Sequence, residues 1–456
     1  LDDNNNLDNR LNRDIGRLGY SAINLNSVIG AGIFGLPAAA AARTGAFSPW
    51  VFVLAGLLIF TVVLSFARAS SMFRETGGVI TFASHAFGPF VGFQTGWLAY
   101  LSRAVSMGAN TNLLVTYASW LWAPLDVAPG RPVALIVIFT ALTWLNVVGV
   151  KNSVGALYVF TILKLLPLSL LVLFGLGHVD LQMLISADLP DIGVLGEAVL
   201  LVMYAYVGFE GTVVPAGEGR NPRRDLPGAL IHTILLIGVI YILVQVVSMA
   251  ALPDLGEHQG RAALADVAGA LLGPIGALVL TLGAVFSIAG NLTGSILSAP
   301  RMTFALARDG SMPAWFSSVH ARHHTPYASI VVYGGLSLAI ALSGTFIYLA
   351  VISTLVRLLT YMVCIAALPI LEKTTEAHEG QFRLAGGLFI PIVAFALCLW
   401  LITYASAEAW VWTSGFFLVG SALYAFSRWQ ARNRREGRIP VPAKDRRDID
   451  STGPSP

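Results

Sequence analysis

Twelve mostly apolar stretches, each near the length that crosses a lipid bilayer, divide this chain: 16–42, 48–73, 90–122, 132–149, 153–177, 194–217, 226–252, 267–305, 328–343, 346–371, 387–406 and 409–427. A spanning helix needs about 20 such residues. In hydrocarbon every backbone N–H and C=O must find its partner within the protein, so such segments cross as helices. Composition agrees. Of the 456 residues 12% are charged and 56% are apolar, whereas a soluble domain carries about 25% charged residues. Too little polar surface remains to coat a water-facing globule. The expected fold class is an all-α polytopic membrane protein.

Two stretches are interrupted by glycines where a membrane helix would ordinarily carry Leu or Ala. The first is Val28-Ile29-Gly30-Ala31-Gly32-Ile33-Phe34-Gly35, and the second is Tyr206-Val207-Gly208-Phe209-Glu210-Gly211. Glycine is a poor residue for a helix interior. Asn24 and Asn26 precede the first break and Pro37 follows it. Unwinding there exposes the N–H groups that begin the second half-helix, and the positive end of a helix dipole suits a carboxylate. Small residues also serve close helix packing in membranes, which is the competing reading of one such break. A second break, again in the first helix of a run of five, favours a transporter site between two inverted repeats.

Lys and Arg set the orientation. With the N-terminus inside, Arg43, Arg131 and Arg261 fall outside, and Arg103, Lys164 and Arg357 fall within spans. The remaining members of the 28 Lys and Arg fall on the cytoplasmic side. This bias places both termini in the cytoplasm. The polar tail 428–456 is expected to be disordered and to set topology, with arginines able to meet anionic headgroups. No short apolar segment of a removable leader is visible at the N-terminus. Cys364 and Cys398 both lie in apolar runs, so no disulfide, zinc site or redox motif is expected, and no disulfide-linked partner subunit. His320, His323 and His324 have no accompanying carboxylate and read as a solvated loop.

Ionisable groups inside spans each need a reason, since they cost about 2.5–3.5 kcal/mol on insertion scales. Lys164 sits midway along the fifth span, in Thr161-Ile-Leu-Lys164-Leu-Leu-Pro167. Glu210 sits in the second break. It could load and release a proton there, or pair with Arg103 or Arg357 and hold helices together. No ring of like charges or carbonyl-filter motif indicates a channel. No nucleophile–base set or metal motif within spans indicates an enzyme, so no catalytic, metal or cofactor site is expected, and no nucleic-acid partner.

Several motifs carry a resemblance. They are Gly30-Ala-Gly-Ile-Phe34, Gly77-Gly78 with Phe87-Gly88 and Gly92-Phe-Gln-Thr-Gly96-Trp97, and Ala205-Tyr-Val-Gly-Phe-Glu210. Further on come Gly217-Glu-Gly-Arg-Asn-Pro-Arg-Arg-Asp-Leu-Pro227, Arg301, Ala307-Arg-Asp-Gly310, Met312-Pro313 and Thr325-Pro326. Together they cover roughly residues 16 to 427, and the chain resembles the amino acid–polyamine–organocation (APC) transporter superfamily, bacterial type. In that family the cytoplasmic loop after the sixth span often begins with two acids. Here the first is Gly217, which weakens a gating salt bridge at that position.

The resemblance implies a 5+5 inverted repeat of the LeuT-like kind plus two C-terminal helices. Its parts are a cytoplasmic tail 1–15, a first repeat 16–177, a second repeat 194–371, two added helices 387–427 and the tail 428–456. It also implies a permease of the plasma (bacterial inner) membrane that moves a small-molecule amino acid by alternating access. The substrate carboxylate would meet N–H groups of Ala31, Gly32 and Ile33 beside Gly30. Its ammonium would meet carbonyls near Val28, Ile29, Tyr206 and Val207, beside Gly208. Where arginine-selective relatives carry tryptophans, this chain has Tyr204 and Ser295. A guanidinium-stacking partner is therefore partly missing. Phe209, Phe34 and Tyr204 would line an apolar pocket, and a neutral substrate is expected. Related bacterial transporters carry a lysine at the Lys164 position, where its ammonium resembles a built-in replacement for sodium. Lys164 and Glu210 are thus the candidate coupling residues, with protons as the expected coupling ion. Glu210 also matches an acidic position of arginine–agmatine antiporters. That keeps open an exchanger of cationic amino acids or polyamines, and a nutrient sensor without transport is a further alternative.

Overall fold

The computed structural model describes residues 15–149, 154–180, 182–185, 187–375, 381–384 and 386–435. The tail before residue 15, Lys151 and the tail beyond residue 435 lie outside them. Among the described residues the regular structure is helical, apart from one isolated parallel bridge between Ile15 and Gly219. Eight helical stretches are long and apolar enough to cross a membrane, and two shorter apolar helices accompany them.

The first expected span is split into α1 (Arg17–Val28) and α2 (Gly32–Thr44). Then follow α3 (Ser48–Ser70), the amphipathic α4 (Val79–Phe87), α5 (Pro89–Leu121), α6 (Gly130–Val148) and α7 (Val154–Gly175). The sixth expected span stops early as α8 (Ile192–Tyr206) and continues in short 3₁₀ turns, Phe209–Gly211 and Val214–Glu218. After it come α9 (Pro222–Ala251), α10 (Ala263–Arg308), α11 (Tyr327–Ser343), α12 (Phe346–Thr374), α13 (Phe389–Ile402) and α14 (Ala407–Arg435). Each expected span thus falls on a helix or a broken pair.

Two lengths have local causes. The overlong eighth span is a 46-residue helix that turns at Gly273, where φ is +69° and Pro274 follows. Proline lacks the N–H that would continue the ladder. The third span, α5, is long but rich in Ser, Asn and Thr, and all of these but Ser119 are buried. In a membrane, polar side chains turned inward join helices to each other. The broken helices occupy the centre: α2 packs on α8, α9 packs on α3 and α1, and α5 packs on both α10 and α12.

Candidate functional site

The first break begins where α1 stops. Ile29 leaves helical geometry while its N–H still donates to the Leu25 carbonyl. Phe34 and Gly35 donate to the Ala31 carbonyl. The N–H groups of Gly32 and Ile33 therefore stand ahead of the helical ladder at the positive end of α2. In the second break Val207 is extended and Gly208 adopts φ +118°. Glycine enters that region readily because it has no Cβ.

The breaks meet and run antiparallel. A Cβ on Gly208 would lie 2.5 Å from the Ser27 carbonyl oxygen, and a Cβ on Gly32 would lie 2.5 Å from Cα of Ala205. Gly32 therefore serves close packing as well as standing at the anion-favouring end of α2. The two readings of its small size coexist at one residue.

Lys164 of α7 is buried, and its Nζ donates to the carbonyls of Asn26 (3.0 Å) and Ile29 (2.9 Å). These are carbonyls that the end of α1 releases. Ile29, read from sequence as an acceptor for a substrate ammonium, already receives the Lys164 ammonium. Asn291 of α10 adds a second donor, its Nδ2 lying 3.3 Å from the Asn26 carbonyl and 3.4 Å from that of Ser27. The end of α1 is thus held from two helices.

A run of polar contacts leads away from Asn291. Its Oδ1 accepts from Asn110 Nδ2 of α5 at 3.0 Å, and Asn110 Oδ1 accepts from the Tyr204 hydroxyl of α8 at 2.6 Å. Tyr204 also reaches the Ser106 carbonyl at 3.3 Å. Ser106 Oγ accepts from Arg357 Nη2 at 3.2 Å. Arg357, on α12, stands 3.5 Å from Glu210 Oε1. The Glu210 Oε2 accepts from the Tyr361 hydroxyl (2.7 Å) and from the Gly208 N–H (3.0 Å). Glu210 therefore holds its own break and ties it to α12, the helix-bridging alternative read from the sequence. Arg103 lies beside the same break, against Gly211, and donates to Ser298 at 3.2 Å.

The three aromatic rings expected to line one pocket face different neighbours. Phe34 packs edge-on against Tyr117, Tyr204 against Phe346, and Phe209 against Phe66 and Tyr361. Tyr206 turns toward α3 and α9, donating to the Phe52 carbonyl at 3.0 Å and meeting Tyr241. Ser295 shares a hydrogen bond with Tyr333 at 2.8 Å. Below the breaks, buried Asn24 accepts from Thr212 at 3.0 Å and donates to Thr233, which joins both broken spans to α9.

Sequence reasoning missed Asn110, Asn291, Ser106 and Tyr361. One signal was available: Ser102, Ser106 and Asn110 recur every fourth residue along α5, one face of a helix. That polar stripe in a membrane span marks a buried polar interface. Asn291 and Tyr361 had no comparable periodic signal.

An all-α polytopic membrane protein built on two touching broken helices is what the fold and these contacts define. The chain belongs to the amino acid permease family, whose sequence model matches residues 15–427. It is 28% identical to the serine/threonine exchanger SteT of Bacillus subtilis (strain 168), over 85% of this chain and 90% of that protein. It is 27% identical to the branched-chain amino acid permease BcaP of the same organism, over 91% and 92%. The methylthioribose transporter of that organism is 26% identical over 91% and 93%.

Proposed function

We propose that this chain is a secondary active carrier for a neutral α-amino acid, working without sodium and coupled to protons. The observation that carries this reading is the Lys164 ammonium on the carbonyls of Asn26 and Ile29. Carbonyls at an unwound membrane helix attract a cation, and here a side chain supplies it, so a second positive charge is repelled. The N–H groups of Ala31, Gly32 and Ile33 take the substrate carboxylate, and the carbonyls near Val28, Tyr206 and Val207 take its ammonium. Glu210 faces Arg357 at 3.5 Å. A cationic side chain would have to compete with that arginine, which favours a neutral substrate over arginine, lysine or polyamines. Relatives that are a serine/threonine exchanger and a branched-chain permease support the same class.

In this reading residues 16–177 and 194–371 are the two repeats, and the antiparallel meeting of the breaks supports them. The carrier sits in the plasma (bacterial inner) membrane with both termini in the cytoplasm, following the Lys and Arg bias. Uptake by the purified full chain in proteoliposomes tests the proposal. Equal uptake in sodium and choline buffers, with accumulation driven by an inward proton gradient, is expected for neutral amino acids. Strict sodium dependence would overturn the ion assignment. Uptake of cationic amino acids alone would overturn the substrate class.

A further inference from the structure

The Tyr204–Asn110–Asn291 run lies at the breaks. Asn291 sits directly over the first one, because a Cβ on Gly30 would lie 3.1 Å from its Nδ2. Tyr204 lies on the last turn of α8, next to Ala205, which packs on Gly32. Asn110 joins the two; Tyr204 and Asn110 are buried and Asn291 is partly buried. On the reading that the breaks hold the substrate, a phenol and two carboxamides stand beside it.

An asparagine side chain offers two N–H donors and an oxygen with two lone pairs. Asn110 uses one donor on Asn291 and one lone pair on Tyr204. One donor and one acceptor remain on this residue. That remainder matches a group that both donates and accepts, such as a hydroxyl or a carboxamide. A branched aliphatic side chain offers neither. Pressing against Asn110 it would exclude solvent and leave polar groups unpaired in a dry setting, the situation a binding site built from hydrogen bonds discriminates against.

We propose that Asn110, held by Tyr204 and Asn291, selects amino acids whose side chain carries a hydroxyl or a carboxamide over branched aliphatic ones. This inference rests on reading the two breaks as the substrate site. It narrows the neutral class to its small polar members. Asn110 is the contact residue, whereas Tyr204 and Asn291 fix the orientation of its amide.

Ligand-induced thermal stabilisation of the purified full chain tests this without a labelled substrate. The probes are L-serine, L-threonine, L-asparagine, L-valine, L-leucine, L-isoleucine and L-arginine, each titrated separately. Serine, threonine and asparagine should bind at least about tenfold more tightly than the aliphatic three. Asn110→Leu should reduce that ratio to near or below one while the protein still binds leucine. Tyr204→Phe, which leaves the ring and removes the hydroxyl, is the milder second variant and should narrow the ratio without abolishing binding. Leucine binding as tightly as serine in the wild type would overturn the inference and leave the neutral-carrier reading intact. Stabilisation by arginine alone would overturn both. If Asn110→Leu does not fold, an unchanged serine-to-leucine ratio in Tyr204→Phe overturns the inference. Equal weakening of all ligands in Asn110→Leu would make the residue structural and also overturn it.

Discussion

Gly208 of the second break lies against Ser27 of the first, so closely that a Cβ on the glycine would stand 2.5 Å from the serine carbonyl oxygen. The glycine also holds φ at +118° and gives its N–H to Glu210. One residue thus combines a conformation that side chains avoid, a contact that side chains forbid and a bond to the buried carboxylate. The two halves of the chain meet through backbone at this point, which explains why the second break is built on glycine.

Gly208→Ala should therefore be severe for a one-carbon change. The backbone conformation alone costs on the order of 1–3 kcal/mol in a non-glycine residue, and the displaced Ser27 carbonyl adds to it. The expected result is loss of uptake with a lowered melting temperature. Gly294→Ala is the control, since a Cβ there meets nothing within 4 Å. Wild-type uptake in Gly208→Ala would refute the close meeting of the breaks.

The Glu210–Arg357 pair makes a thermodynamic cycle informative. Removing one member of a buried pair leaves an uncompensated charge and costs about 3–5 kcal/mol, whereas removing both is often near neutral. Glu210→Gln and Arg357→Met should each lower thermal stability strongly. The double variant should recover much of the loss. Additive losses in the three proteins would show that the two side chains act separately.

Much of the architecture was legible because membrane spans are set by length and hydropathy, which are local properties. The broken helices were legible for the same reason: Gly30, Gly32 and Gly208 stand out in an apolar run. Pairings across helices were not. The sequence offered Arg103 and Arg357 equally as partners for Glu210, and only packing brings Arg357 and Tyr361 to its oxygens. The packing partners of Phe34, Tyr204 and Phe209, expected to line one apolar pocket, were not legible because residue type does not fix side-chain direction. Phe209 turns to Phe66 and Phe34 to Tyr117. Asn110 and Asn291 come from spans far apart in sequence, so their amide contact follows from helix register alone.

The N-terminal end of α1 is fastened to the segment after the second break. The Tyr20 hydroxyl donates to the carbonyls of Pro215 (3.2 Å) and Ala216 (3.4 Å). Backbone bonds join Ile15 to Glu218 and Arg220 at 3.1 and 2.9 Å. A net hydrogen bond contributes about 1 kcal/mol, so Tyr20→Phe should lower stability by that order. In the proposed carrier, with this end on the cytoplasmic side, opening toward the cytoplasm would part α1 from this contact, and weakening it would shift the population toward that state. The expected outcome is a higher KM for uptake from the outer side with only a small fall in melting temperature. An unchanged KM would mean that these bonds persist throughout the cycle.

Lys164 provides the most direct test of how transport is driven. Its Nζ reaches Asn26 and Ile29, carbonyls at the end of α1, while Asn291 covers Asn26 and Ser27 from the opposite helix. Lys164→Ala removes the only charge in this set and leaves Asn291 as the remaining tie. Loss of one charge-assisted bond costs about 1.5–3 kcal/mol, and two are lost here. Uptake should fall at least about tenfold, since each 1.4 kcal/mol is a factor of ten in an equilibrium. Lys164→Arg should not rescue it, because a planar guanidinium cannot occupy the place of a compact ammonium. If the lysine also carries the coupled proton, the wild type should accumulate substrate under an inward proton gradient. Lys164→Ala should then show residual exchange that the gradient leaves unaffected. Full activity in Lys164→Ala would remove the residue from the mechanism. Gradient-driven accumulation retained in that variant would place the coupled proton elsewhere.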